Sequence, residues 1–382
     1  MALKLNLDID LTRFPHIIYL LVIFVASRLP FLDLGFSAFT SPTDSDVLAV
    51  VNSAYLLRYY HIYAVSRFPG SPFFELYNSL LIGGGWLATN TATMIFSFFA
   101  VILFGKILNI LDIKNKSILL ITFAFIPVIW INSTITMDYM WGLGFLLLAF
   151  YLAFAGKYNY SGIALSFAIA CRLTSVVMIV PLLYWMLQKK AGMNRLYSFL
   201  GTTFFSSIIL FSPVLYKYGL GFLKYYPREI TFTEVYYGFA TQILNIPAMI
   251  IILISFLVAR NTPKKDPAFN LSLFVVLIYA LIFIYHPSKP AYLIPAIPWG
   301  LVLLNKTFPR MIVIFVCVLV VLNGIMYFDF QGSGEKIKLD SGSVLKNYEE
   351  RKMNGINQSQ EYLDSLDTFL KEERSLQNNI SR

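Results

Sequence analysis

Apolar segments of membrane-spanning length recur along almost the whole of this chain, and they constrain its fold more than any other feature. Candidate spans cover 15–33, 91–111, 117–133, 139–155, 159–171, 174–188, 196–214, 241–259, 268–285, 290–304 and 310–328. Runs of about 17–20 apolar residues match a hydrocarbon core of roughly 30 Å. Only 13% of the 382 residues are charged and 57% are hydrophobic, whereas soluble domains are about 25% charged. The expected fold is an all-α polytopic membrane protein with about eleven transmembrane helices. The first apolar run is too long and too poorly punctuated for a cleaved signal peptide and is expected to be retained.

Basic residues orient these spans, because Lys and Arg gather in cytoplasmic loops. Lys4 and Arg13 place the N-terminus inside. Lys106, Lys114 and Lys116, then Lys157, then Lys189, Lys190 and Arg195, then Arg260, Lys264 and Lys265, and finally Lys306 and Arg310 fall on the same side. They do so only if 34–90 stays outside as one long loop. Segment 72–90 is apolar but holds Glu75, Asn78 and three consecutive glycines, and is expected to be a helix that lies in the outer interface or dips into it. The odd number of spans puts the C-terminus outside. The net charge of +9 follows from this loop bias, and no basic, aromatic-interleaved patch suggests nucleic acid. Cys171 and Cys317 lie in apolar segments and are expected to be small buried residues, not a disulfide or metal pair.

The chain is therefore expected to divide into a membrane domain, 1–330, and a polar extracytoplasmic tail, 331–382, too small for a core of its own. Gln360–Leu376 is an amphipathic helix candidate with Leu363, Leu366, Phe369 and Leu370 on one face.

Charged residues interrupt the outer face in a specific pattern. In the long loop, SPTDSD carries Asp44 and Asp46, and SRFPGSPFFE carries Arg67 and Glu75. Between them, apolar positions 47, 50, 51, 54 and 57 have helical spacing, and Thr43 with Asp46 resembles a capping box. The loop is expected to hold two interfacial helices joined at the RFPGSP turn. Asp138 opens the segment after the third span, and Arg172 interrupts an apolar stretch. An aspartate at a helix start ordinarily caps it, but several ionisable groups held at a membrane boundary are candidates for function. Lys217, Lys224 and Arg228 lie in a tyrosine-rich outer loop, and His286 and Lys289 in the next; a phosphate is one partner for such cations. Asp46, Glu75 and Asp138 are a candidate divalent-metal set (Mg, Mn or Zn), with His61 a further possible ligand.

Together these features resemble the GT-C superfamily of membrane glycosyltransferases. They are an acidic pair in a long first outer loop, a Pro/Gly turn before an acid, an aspartate after the third span, and the run Lys289-Pro-Ala-Tyr292-Leu-Ile-Pro-Ala-Ile-Pro. The resemblance covers roughly 15–305 and is nearest to the aminoarabinose transferase and protein O-mannosyltransferase branch. It implies transfer of a sugar from a polyprenyl-phosphate donor to a lipid, glycan or protein acceptor on the outer side of a membrane. Here the two acids are separated by Ser45, and the lysine relatives carry after the turn's acid is absent, leaving Arg67 as its candidate substitute. The resemblance implies Asp46 or Asp44 as general base, with Asp138 and Glu75 orienting the acceptor or holding a metal. Arg67, Arg172, Lys217, Lys224, Arg228, His286, Lys289 and Tyr292 then form the pool that binds donor. The plain membrane body and Ile/Lys/Asn/Tyr-rich composition suggest a prokaryotic plasma membrane. A transporter or lipid flippase is the alternative, though no repeated halves are visible; a scaffold subunit with acids as caps would not need Arg172 within apolar sequence.

Overall fold

The computed structural model describes residues 10–36, 46–223, 239–240, 242–258, 266–285, 289–329 and 338–380. The first helices are α1 (Ile17–Leu32), α2 (Asp46–Tyr60), α3 (Pro72–Leu81), α4 (Gly85–Ile110), α5 (Lys116–Phe125) and α6 (Pro127–Asn132). Next come α7 (Tyr139–Phe154), α8 (Tyr158–Cys171), α9 (Ile179–Gln188), α10 (Met193–Tyr218), α11 (Ile246–Val258) and α12 (Pro267–Tyr285). The last part of the chain forms α13 (Ile297–Thr307), α14 (Arg310–Leu322), an antiparallel hairpin of β1 (Met326–Asp329) and β2 (Lys338–Ser341), α15 (Ser343–Glu350) and α16 (Ile356–Ile380).

Helix is what a chain this apolar must form in lipid, since each segment then satisfies its own backbone groups. Among the described residues, three helical stretches are long and apolar enough to cross a membrane: Pro72–Ile110, Met193–Phe222 and Pro267–Tyr285. Phe205 and Ile209 on α10, and Leu281 and Ile284 on α12, are exposed, an outward apolar surface that suits hydrocarbon and not water. The protein is an α-helical membrane protein.

Helix α7 is the centre of packing, lying between α4 and α8, with α8 also against α10. Trp141 of α7 stacks on Phe96 of α4 at 3.9 Å between ring centroids. Phe150, three turns along α7, meets Trp299 of α13 at 4.5 Å.

Several expected spans are shorter or broken, and proline accounts for one break. Segment 117–133 divides into α5 and α6 at Ile126, which is extended because Pro127 follows it. Segment 290–304 begins as a 3-10 turn over Pro290–Ala296 before α13, and 174–188 likewise starts in a 3-10 turn, Leu173–Met178. Segment 72–90 is not one interfacial helix: α3 ends at Leu81, and α4 starts at Gly85, six residues before its expected beginning.

The expected division at residue 330 also falls inside a paired element. Helix α14 stops at Leu322, not 328, and β1 on one side of the boundary pairs with β2 on the other. The tail is tied to the body. Val344 packs with Phe31 and Ile131, and the Phe31 and Tyr348 rings meet edge-on at 5.2 Å. On α16, Leu370 is buried and Leu363 packs on the core, but Phe369 is exposed. The buried stripe runs through 363 and 370, two turns apart, and Phe369 falls off it.

Candidate functional site

Helix α2 presents its predicted apolar face, Val47, Val50, Val51 and Ala54, to the interior and packs on α3. That docking fixes Asp46, the first residue of α2. Between α2 and α3 the chain makes a tight turn. Gly70 adopts φ +94, a left-handed conformation suited to glycine, and its N–H donates to the Arg67 carbonyl at 2.6 Å.

Glu75 holds this turn closed. It is fully buried, and its Oε1 accepts from the Ser66 N–H (2.7 Å), the Ser66 hydroxyl (2.6 Å) and the Ser71 N–H (3.3 Å). Its Oε2 accepts from the Tyr63 hydroxyl at 2.7 Å. Lys217 reaches the same turn, donating to the Tyr63 carbonyl. Glu75→Gln turns an acceptor into a donor facing these groups. It is expected to destabilise the protein by about 1–3 kcal/mol, measured as detergent-micelle unfolding.

The turn carries Arg67 into a chain of alternating charges. Lys289 Nζ donates to Asp46 Oδ2 at 3.0 Å. Arg67 Nη1 lies 3.4 Å from the same oxygen, an ionic contact outside hydrogen-bond geometry. Arg67 Nη2 donates to Asp138 Oδ2 at 2.7 Å, and Arg172 Nη1 to Asp138 Oδ1 at 2.8 Å. Ser71 Oγ adds a third bond to Asp138, at 3.0 Å. Asp138 occupies the N-cap position of α7 but makes no cap hydrogen bond; its carboxylate serves the arginines instead. Arg172, at the C-terminal end of α8, lies over the Tyr139 ring at 4.1 Å and the Tyr292 ring at 5.2 Å.

Exposure separates the two aspartates. The Asp138 side chain is 2% exposed and that of Asp46 is 24%, so Asp46 is the one a substrate could reach. Burial pushes the pKa of both upward, but the neighbouring cations outweigh it. Arg67 and Lys289 hold Asp46 below the ordinary carboxylate range, and Arg172 and Arg67 do the same for Asp138.

The structure thus brings Asp46, Arg67, Asp138, Arg172, Lys289 and Tyr292 together, although they are spread over nearly 250 residues of sequence. Glu75 and Lys217 lie beside this chain as braces of the turn. His61 is exposed at the end of α2. Asp44, Lys224, Arg228 and His286 lie outside the described residues, as does Thr43 of the expected capping box. Arg67 sits between Asp46 and Asp138, and the Glu75 oxygens accept hydrogen bonds from the turn. Among the described residues no three His, Cys, Asp or Glu side chains cluster for a metal.

Sequence reasoning missed the serines and tyrosines that finish the site. Tyr63, Ser66 and Ser71 carry no sequence signal beyond their place in the turn. It also missed Arg28, which gives the same signal as Arg172, a cation in an apolar run. Arg28 is fully buried among the rings of Phe24, Phe125 and Trp130 and donates to Ser27, to Ser133 and to the Ala124 carbonyl.

No family model matches the chain, and no curated protein or solved structure does either.

Proposed function

We propose that this chain is a GT-C-type membrane glycosyltransferase of about eleven spans. It would transfer a sugar from a polyprenyl-phosphate donor to an acceptor hydroxyl at the extracytoplasmic face of a plasma membrane, with inversion at the anomeric carbon. The observation that carries this reading is the chain Lys289–Asp46–Arg67–Asp138–Arg172, in which three cations meet two carboxylates beside apolar helices. Arginine and lysine side chains are partners for a phosphate, and the apolar surroundings favour one borne on a lipid.

In the proposed step, Asp46 accepts the proton of the acceptor hydroxyl; Asp44 is the alternative base. The acceptor oxygen bonds to the anomeric carbon as the bond from that carbon to the phosphate oxygen breaks. The departing phosphate keeps the electron pair, and Arg172 and Lys289 stabilise its charge. Asp138 does not touch the reacting atoms; it holds Arg67 and Arg172 in place.

The test is incubation of purified protein with a panel of polyprenyl-phosphate sugars and acceptors, following release of polyprenyl phosphate. Turnover with at least one donor, reduced at least about tenfold in Arg172→Ala, is expected. Uptake or flipping of the lipid across a vesicle without cleavage would instead favour a transporter.

A further inference from the structure

The C-terminal segment carries a fully buried arginine that none of the site chemistry above uses. Arg351 lies in the turn between α15 and α16. Its Nη2 donates to the carbonyls of Phe31 (2.7 Å) and Gly35 (3.1 Å), and its Nη1 to Thr134 Oγ1 (3.0 Å). These acceptors belong to two segments that precede site residues in sequence. Phe31 is in the last turn of α1, and Gly35 follows that helix, eleven residues before Asp46 in sequence. Thr134 stands four residues before Asp138.

Other contacts join the same two segments at the same place. Thr136 N–H donates to the Phe36 carbonyl at 3.3 Å, and Asn90 Nδ2 donates to the Gly35 carbonyl at 2.8 Å. Asn90 in turn accepts from Thr136 Oγ1 at 2.9 Å. The tail also holds the Phe36 N–H through Ser359 Oγ at 3.0 Å. It approaches so closely that a Cβ on Gly35 would lie 2.3 Å from the Gly355 carbonyl oxygen. Farther along α16, Asp367 accepts from the Tyr55 hydroxyl at 2.9 Å, and the Tyr362 hydroxyl donates to the Leu48 carbonyl at 3.3 Å. Both of those partners are on α2, the helix that begins with Asp46.

From this juxtaposition we infer that the C-terminal segment is a clasp for the site, with Arg351 as a positioning residue that sets the placement of Asp46 relative to Asp138. Only the identity of those two acids as site residues rests on the proposed function. The physical case is that carbonyls and a hydroxyl buried at a loop entrance need donors, and one guanidinium supplies three bonds in a fixed planar fork. Lysine, with one nitrogen, cannot bridge both segments in that geometry. The α16 contacts then fix the other end of the clasp along α2.

Hydrogen exchange on the full-length protein in detergent micelles tests this without assuming any activity. Arg351→Ala is expected to speed amide exchange at least about tenfold in 31–36, 46–60 and 133–138, because buried acceptors lose their donors. Arg351→Lys should recover protection only in part. Tyr55→Phe should loosen α2 and α16 but not 133–138, and Glu361→Ala, on the exposed face of α16, should change none of the three segments. If Arg351→Ala does not fold, Ser359→Ala takes its place, with faster exchange expected in 31–36. Exchange confined to 343–380 in these variants would make the tail an appendage and overturn the inference.

A second readout connects the clasp to the site. Arg351→Ala, though remote from any ligand, should weaken binding of a polyprenyl phosphate at least about tenfold, and Arg351→Lys less. Unchanged binding would contradict positioning. If the wild type binds no such lipid, the proposed function fails, and the exchange result alone still decides the clasp.

Discussion

Asp138→Ala is expected to destabilise the protein by about 3–5 kcal/mol, the cost of removing one partner from a buried ion pair. The effect is large because Asp138 is the counter-charge for two arginines at once, Arg67 at 2.7 Å and Arg172 at 2.8 Å, with Ser71 as a third donor. Removing the carboxylate takes the Asp138 ion pair from Arg172 and leaves Arg67 only its longer contact to Asp46. Asp138→Asn keeps the shape but loses the charge, and should fall between alanine and wild type. Replacing Arg172 by Leu in the Asp138→Ala background should recover part of the loss, since it removes one of the stranded charges.

The same pairing predicts a pH dependence. The folded pKa of Asp138 lies below its unfolded value, because Arg172 and Arg67 outweigh the effect of burial. The stabilisation is therefore fully present above the unfolded value of about 3.9 and is lost as pH falls through the lower folded value. Unfolding measured in micelles should show this contribution intact at about pH 5 and declining below about pH 4. Asp138→Asn should lack that decline.

Asp46→Asn is expected to lower glycosyl transfer about 10²–10⁴-fold, the range for loss of a general base, while leaving the fold intact. Asp46 links Lys289 to Arg67, and its loss still leaves Arg67 paired to Asp138. Turnover in purified protein is the measurement. Because Arg67 and Lys289 hold the Asp46 carboxyl below the ordinary range, wild-type turnover should not lose a deprotonated base between about pH 8 and pH 5. Full turnover in Asp46→Asn would remove Asp46 from the base role and leave Asp44 as the candidate.

Much of the site was legible in sequence because each charge was conspicuous in an apolar setting. Asp46, Arg67, Asp138, Arg172 and Lys289 all stood out for that reason, and all five lie in one connected chain. Their division of labour was not legible. Whether a carboxylate is reachable or sealed depends on what covers it, and the burial of Asp138 comes from Ser71 and two arginines drawn from distant segments. Glu75 looked like a third site acid, but its hydrogen bonds are local to a turn whose geometry the sequence only hints at.

The helical membrane class was likewise plain from hydropathy, but the lengths of individual elements were not. The break at Pro127 follows from a local rule that a hydropathy window averages away. The docking of the tail left no trace in its composition. A polar segment is ordinarily solvated; here the fit of Arg351 to the carbonyls of Phe31 and Gly35, with Val344, Leu363 and Leu370 packed inward, makes it part of the body.

The most direct test of the central claim, that Arg172 and its neighbouring cations receive a lipid-borne phosphate, is a binding titration of the purified protein with polyprenyl phosphate beside the matching polyprenyl alcohol. Saturable binding of the phosphate form alone, weakened at least about tenfold by Arg172→Ala, is the predicted result. Equal binding of both lipids, or binding of neither, would contradict it.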